Sequence, residues 1–383
     1  MLHYLTRGER IETIIMELIG AFFSFLLQWY VWLPIVLVLL FLTIRNYRRV
    51  EMVTKDVPGD LLVLEIPKTN DKKELAAEQM FASLHGILRD QDELKANGGF
   101  QEHLSFEFAS VNGQIRFYVW VPKTLRSFVE SQIYSQYPTV QIREADEDYV
   151  AHEREHSVVY TAEITLSEND VLPIKTFQSF EVDPLAGITG TLAKLETTGD
   201  EVWVQILVRP IADEWHKNTE QWVSGVRNGK TSTFKTVGGW LPQILEALWK
   251  PPEEAGKSSV TVKELSDRDK TRISEAETKA TKLGYEVKIR VAYLGENQTN
   301  ARQQMQALVG TFKQFNSTNL NGFKTSNNSF AKENLIPYRQ RTFGPDGYIL
   351  NIEELASVYH LPHTSVETPN IVWASSKTAE PPA

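Results

Sequence analysis

His152-Glu-Arg-Glu-His156 has the spacing of a zinc peptidase: two histidines one helical turn apart, with Glu153 placed as general base. Such a helix must be embedded, so that metal and water are shielded. Here the motif lies in a charged connector, between Asp146-Glu-Asp148 and the alternating apolar run Val158–Leu166. The next histidine is His216, and no nearby glutamate stands out as a third ligand. The motif reads as a solvated linker with chance spacing. A membrane-tethered zinc metallopeptidase using His152, Glu153 and His156 is the alternative.

Two segments come close to a phosphate-binding loop. Ser224-Gly-Val-Arg-Asn-Gly-Lys-Thr231 has Ser, and Pro251-Pro-Glu-Glu-Ala-Gly-Lys-Ser258 has Pro, where GxxxxGK[ST] needs its first glycine. A working loop leaves a buried strand and opens a helix, which aims its amides and dipole at phosphate. The first segment follows a polar helix and the second lies in a proline-rich linker, so no cofactor is expected. His360-Leu-Pro-His363 reads as exposed or helix-capping, because no acidic cluster accompanies it in the sequence.

Composition narrows the classes further. The 383 residues include no cysteine, which excludes disulfides, thiolate-held zinc, iron–sulfur clusters and a cysteine nucleophile. The net charge is -9, although residues 1–50 hold five Arg against three Glu, so the remainder is more acidic than the whole. An acidic body repels phosphate backbones, and no direct nucleic-acid binding is expected.

The elements that must position any site begin with an apolar run. Leu18 to Ile44 is free of formal charge for 27 residues. About 20 apolar residues cross a bilayer, which predicts one transmembrane helix near 22–44. Trp29, Tyr30 and Trp32 would lie at interface depth, and Arg45, Arg48 and Arg49 at the exit would favour a cytoplasmic body. Ile11, Ile14, Ile15, Leu18 and Ile19 predict an interfacial lead-in helix. The expected location is therefore the inner (plasma) membrane, single-pass.

Beyond the anchor, Leu61–Ile66 has strand length, and Ala77, Phe81, Leu84 and Leu88 mark a helix over 73–89. Leu104, Phe106 and Phe108 alternate, as do Ile115, Phe117, Val119 and Val121, with the hairpin signal Asn112-Gly113 between them. A helix with Phe128, Val129 and Ile133 and an extended Val140–Ile142 follow. The order strand–helix–strand–strand–helix–strand is that of a ferredoxin-like unit with its helices on one face. It recurs from Val158, with Asp183 as N-cap and Pro184 at the first position of a helix.

The predicted fold is α+β, a transmembrane helix followed by two tandem ferredoxin-like (βαββαβ) domains. The boundaries are 1–50 for the anchor, 58–150 for the first domain and 155–330 for the second. A long helical insertion occupies 210–285, and 331–383 form a C-terminal segment and tail. Within the insertion Trp240, Ile244, Leu248 and Trp249 share a face that could dock on a partner.

A resemblance covers nearly the whole chain. It is carried by Leu62-Val-Leu-Glu-Ile-Pro-Lys68, Glu78-Gln-Met-Phe-Ala-Ser-Leu-His-Gly86, Ile115-Arg-Phe-Tyr-Val-Trp-Val-Pro122 and Val129-Glu-Ser-Gln-Ile-Tyr-Ser-Gln-Tyr-Pro138. Leu350-Asn-Ile-Glu-Glu-Leu-Ala-Ser-Val-Tyr-His-Leu-Pro362 completes the set. Together these resemble the membrane-anchored N-terminal region, itself a domain of unknown function, of type IV secretion coupling-protein and HerA-like ATPases from reduced-genome bacteria. In that arrangement the last segment leads into the motor, whose Walker motifs are missing from these 383 residues. The resemblance implies a non-enzymatic scaffold of a type IV secretion, conjugation or DNA-translocation system. Its expected partners are the lipid bilayer, a separately encoded ATPase and further copies of itself. A structural envelope protein is the other alternative.

Overall fold

The computed structural model describes residues 7–26, 29–53, 57–151, 156–195, 199–228, 265–344 and 347–374. It divides into two compact units, Met1–Lys55 and Asp56–Ala383.

The first unit holds two helices, α1 (Arg7–Leu26) and α2 (Trp29–Val53). The expected transmembrane helix is corrected here. Among the described residues no helix is long and apolar enough to cross a membrane. The uncharged run that reads as continuous in the sequence is shared between two helices. Residues up to Leu26 belong to α1, and α2 carries only Trp29–Ile44 before Arg45. At 1.5 Å per residue that stretch is roughly 24 Å long, short of a hydrocarbon core of about 30 Å.

The second unit is built on one antiparallel sheet. Its described strands are β1 (Gly59–Glu65), β2 (Leu104–Val111), β3 (Gln114–Pro122), β4 (Gln141–Glu144), β5 (Val158–Leu166), β6 (Glu201–Pro210), β7 (Gly284–Gly295), β8 (Phe323–Ser329) and β9 (Tyr348–Asn351). They lie in the order β4-β1-β3-β2-β6-β7-β5-β8, with β9 added to β7. This corrects the expectation of two tandem ferredoxin-like domains. β2 and β6 pair from Leu104↔Val208 to Ser110↔Val202, so what would be two free edges are joined into one nine-stranded sheet. A row of unpaired backbone N–H and C=O groups on each edge is thereby satisfied.

Alternation along the strands sorts the core into two faces. Leu62, Leu64, Phe106, Phe108, Phe117, Val119, Val204, Ile206, Ile289 and Val291 are buried on the first face. The helices α3 (Glu74–Leu84), α4 (Gln91–Ala96), α5 (Arg126–Gln136) and α6 (Pro184–Leu192) are set between strands. Of these, α3, α5 and α6 press Phe81, Ile133 and Ile188 onto that face. Each such buried side chain contributes about 1.5–3 kcal/mol.

In the insertion, α7 (Trp215–Arg227) packs with α8 (Asp267–Lys279), and Arg227 meets Glu277 at 3.1 Å. α9 (Gln298–Phe312) adds Met305, Leu308 and Phe312 to the first face. The short α10 (Ile336–Arg339) and α11 (Ile352–Val358) complete the described helices.

The second face is covered as well, by connectors and the short helix α10 rather than by long helices. Tyr149, Val150, Leu335 and Tyr338 bury Leu61, Val63, Tyr118, Trp120, Trp203 and Ala292. At its centre the strands turn polar side chains inward, Ser105 and Glu107 from β2, Gln205 from β6 and Arg290 from β7. These groups need partners, and the connectors bring them. Arg341 reaches Glu107 and Asp148, and Tyr149 donates to Glu107 at 2.7 Å.

Candidate functional site

The last described residues thread through the body and tie its halves together. α11 starts from a capping box between Asn351 and Glu354, and is buried along Leu355, Ala356 and Val358. Glu354 pairs with Lys279 at 2.9 Å, both side chains wholly buried, and takes the Ile174 N–H at 2.9 Å. The chain then crosses to the first half. Thr364 donates to the Asn70 carbonyl, and Val372 and Ala374 donate to Ile115 and Ile66. Two parallel bridges, Ile115↔Ile371 and Ile66↔Trp373, extend the sheet locally.

Where this segment passes α6 and α3, four polar side chains converge. Asp183 is the N-cap of α6, as its position before Pro184 predicts, and its Oδ1 accepts the Leu185 N–H at 2.7 Å. His360, fully buried, hydrogen-bonds that same Oδ1 through Nε2 at 2.8 Å and the Ala356 carbonyl through Nδ1 at 2.8 Å. Both ring nitrogens face acceptors, which is the pattern of an imidazolium. Burial alone would lower the His360 pKa, and the Asp183 carboxylate more than offsets it, holding the ring above its ordinary value. Burial would raise the Asp183 carboxyl, but His360 and the Leu185 N–H hold it below the usual range.

His363 approaches from the other side. Its Nε2 lies 3.2 Å from Asp183 Oδ2, yet that oxygen has no hydrogen-bond partner. Ser365 engages the opposite ring nitrogen, Nδ1, with its hydroxyl at 3.0 Å and its N–H at 3.3 Å. Glu74, the first residue of α3, supplies a second carboxylate. The ligand-capable atoms of Glu74, Asp183 and His363 lie within 4.8 Å of one another. Of the two readings of His360-Leu-Pro-His363, exposed or helix-capping, exposure is corrected, whereas His360 does meet a carbonyl of the last turn of α11, that of Ala356. Both rings are buried, and the acid that meets them lies 177 residues upstream of His360.

A family model for a domain of unknown function, DUF8128, matches residues 48–374. The chain belongs to this family. The DUF8128 match includes the sheet, the four converging side chains and the crossing segment. No curated protein matches the chain at a significant level.

Other residues singled out by sequence are not drawn to this site. His152 and Glu153 lie outside the described residues. His156 is buried just before β5, with Nε2 3.7 Å from Glu201 Oε1. Trp240, Ile244, Leu248 and Trp249 also lie outside the described residues. Trp32 is exposed on α2, whose backbone also carries Trp29, Tyr30, Arg45, Arg48 and Arg49; the side chains of those five lie outside the described ones.

Proposed function

We propose that the chain is a non-enzymatic assembly module, held at a lipid surface by its helical pair and serving a separately encoded DNA- or protein-translocating ATPase. The observation that carries the reading is the apolar surface of the first unit. From Ile15 to Ile44 the described large apolar side chains are between 44% and 69% exposed. Apolar area left in water costs about 25 cal/mol per Å², and patches of this kind mark association surfaces. Lipid is the occupant that fits the flanking sequence. Arg7 and Arg10 precede the apolar residues and Arg45, Arg48 and Arg49 follow them, where anionic headgroups attract basic side chains.

The segments resembling type IV secretion coupling-protein ATPases support the choice of partner and a cytoplasmic face. A sheet covered on both sides offers such a motor a stiff platform, and association of several copies follows by analogy with ring-forming motors.

Flotation of the purified full chain with vesicles tests the lipid part. The protein should rise with vesicles containing anionic lipid, and the double variant Leu37→Glu, Leu40→Glu should stay at the bottom. A parent protein that remains freely dissolved overturns this part. Affinity capture from native membranes should recover a P-loop ATPase, and failure to recover one argues against the motor partnership.

A further inference from the structure

We infer that Glu74, Asp183 and His363 form a divalent metal site for a borderline cation such as Zn²⁺. The inference rests on atoms, not on a motif. Asp183 Oδ2 is buried and makes no hydrogen bond, while Oδ1 is fully engaged by Leu185 N–H and His360. One carboxylate oxygen is therefore fixed by its neighbours, and the other makes no hydrogen bond and faces the His363 ring 3.2 Å away. That is how supporting hydrogen bonds orient a ligating carboxylate. His363 faces the same point: Ser365 engages Nδ1, and Nε2 lies 3.2 Å from Asp183 Oδ2 and 3.3 Å from the Ser365 hydroxyl, contacts a bound cation would replace. Nδ1 accepts the Ser365 N–H at 3.3 Å in this structure, so binding through Nε2 requires the ring proton to move to Nδ1, with Ser365 Oγ as its acceptor and the N–H bond given up.

One imidazole and two carboxylates suit Zn²⁺ and its first-row neighbours better than Ca²⁺ or Mg²⁺, which take oxygen ligands. Tetrahedral zinc holds its ligands about 3.4 Å apart, given bonds of about 2.0–2.1 Å. Atoms already within 4.8 Å of one another have little distance to close. The charges also fit: two carboxylates with the nearby His360 imidazolium leave a net negative site before the metal enters. The cation would join the start of α3, the start of α6 and the crossing segment at one point.

The test uses the full chain, purified without a polyhistidine tag and equilibrated with zinc alone. After passage over a chelating resin, elemental analysis should find one zinc per chain, and competition with a chromophoric chelator gives the affinity. His363→Ala and the near-isosteric Glu74→Gln should each weaken binding at least tenfold, roughly the scale seen for disturbed metal sites. Circular dichroism of Glu74→Gln shows whether the fold is kept. Cobalt in place of zinc should give visible bands of a low-coordinate site, lost in His363→Ala. His156→Ala should change none of these readings. Zinc well below one equivalent, zinc retained undiminished in Glu74→Gln and His363→Ala, or zinc lost in His156→Ala would each overturn the assignment.

Discussion

Arg341 faces Glu107 across the middle of the second face, Nε to Oε1 at 2.8 Å and Nη2 to Oε2 at 3.2 Å, with the two side chains 3% and 0% exposed. The same guanidinium makes a bidentate contact to Asp148, at 2.7 and 2.9 Å. Arg341 holds this position with a left-handed backbone, φ 49°, which a non-glycine residue adopts only at a cost. Removing one member of a buried pair leaves an uncompensated charge, whereas removing both is far milder. Arg341→Met should therefore destabilise the body by about 3–5 kcal/mol. The double variant with Glu107→Gln should recover part of that loss, and urea unfolding of the four-protein cycle measures it.

His103 sets an acid limit. It stacks on Trp120 and hydrogen-bonds the Arg341 carbonyl through Nε2 at 2.7 Å. Burial first, and then the nearby Arg209 and Arg290, lower its pKa from the ordinary 6.5 to about 4. Between those values the unfolded chain binds the proton and the folded chain does not, so acid favours unfolding. Stability should fall by about 3 kcal/mol from this group as pH drops from 6.5 to about 4, and then level off. His103→Gln keeps a donor for the carbonyl and should lose one proton's worth of that slope in unfolding measured against pH.

His360 works in the opposite direction. Its folded pKa is raised above 6.5, so the folded state keeps a proton that the unfolded state has released. The stabilisation is complete below 6.5 and disappears as pH rises through the raised value. Asp183, with its pKa lowered, gives the matching limit in acid: its contribution is present above the ordinary carboxyl value and is lost as pH falls through the folded one. With a chelator present throughout, His360→Gln should abolish the alkaline slope while leaving the His103 slope in place. An unchanged alkaline slope would mean that another group carries it.

Much of the element list is legible in the sequence because it is local. The alternation of Phe106, Phe108, Phe117 and Val119 assigns those residues to one face, and all four are buried there. Asn112 and Gly113 both adopt positive φ, as the tight turn between β2 and β3 requires. The Asp183-Pro184 start of α6 is equally plain. What periodicity could not show is which edges meet. Nothing in the spacing of Leu104–Val111 says that its outer edge pairs with β6 rather than with water. Alternation also leaves the second face looking solvated, since it says nothing of Tyr149 or Tyr338 folding over it. Ser105, Glu107 and Gln205 alternate with the apolar residues of their strands, and nothing local shows that they too are buried. The candidate metal site was hidden by distance along the chain. His363 is near Pro362 and Ser365 in sequence, but its carboxylates come from α3 and the cap of α6. Only the crossing of residues 359–374 brings them together.

The joining of β2 to β6 has a consequence that separates one sheet from two domains. Phe106 lies on β2 opposite Ile206 of β6 and packs against Phe81 and Tyr359, with ring centroids 5.1 and 4.9 Å away. It therefore touches the first half, the second half and the crossing segment at once. Phe106→Ala should cost about 3–5 kcal/mol through lost contacts and the cavity left behind. If the sheet is one cooperative unit, that loss spreads beyond β2. Amide hydrogen exchange should quicken together in β1 and β3 on one side and in β5 and β7 on the other. Two independently stable halves would confine the change to β1, β3 and the helices α3 and α5, leaving protection in β5 and β7 as it was. Native-state exchange read strand by strand distinguishes these outcomes, and confinement to the first half would show that the β2–β6 ladder joins the halves without coupling their stability.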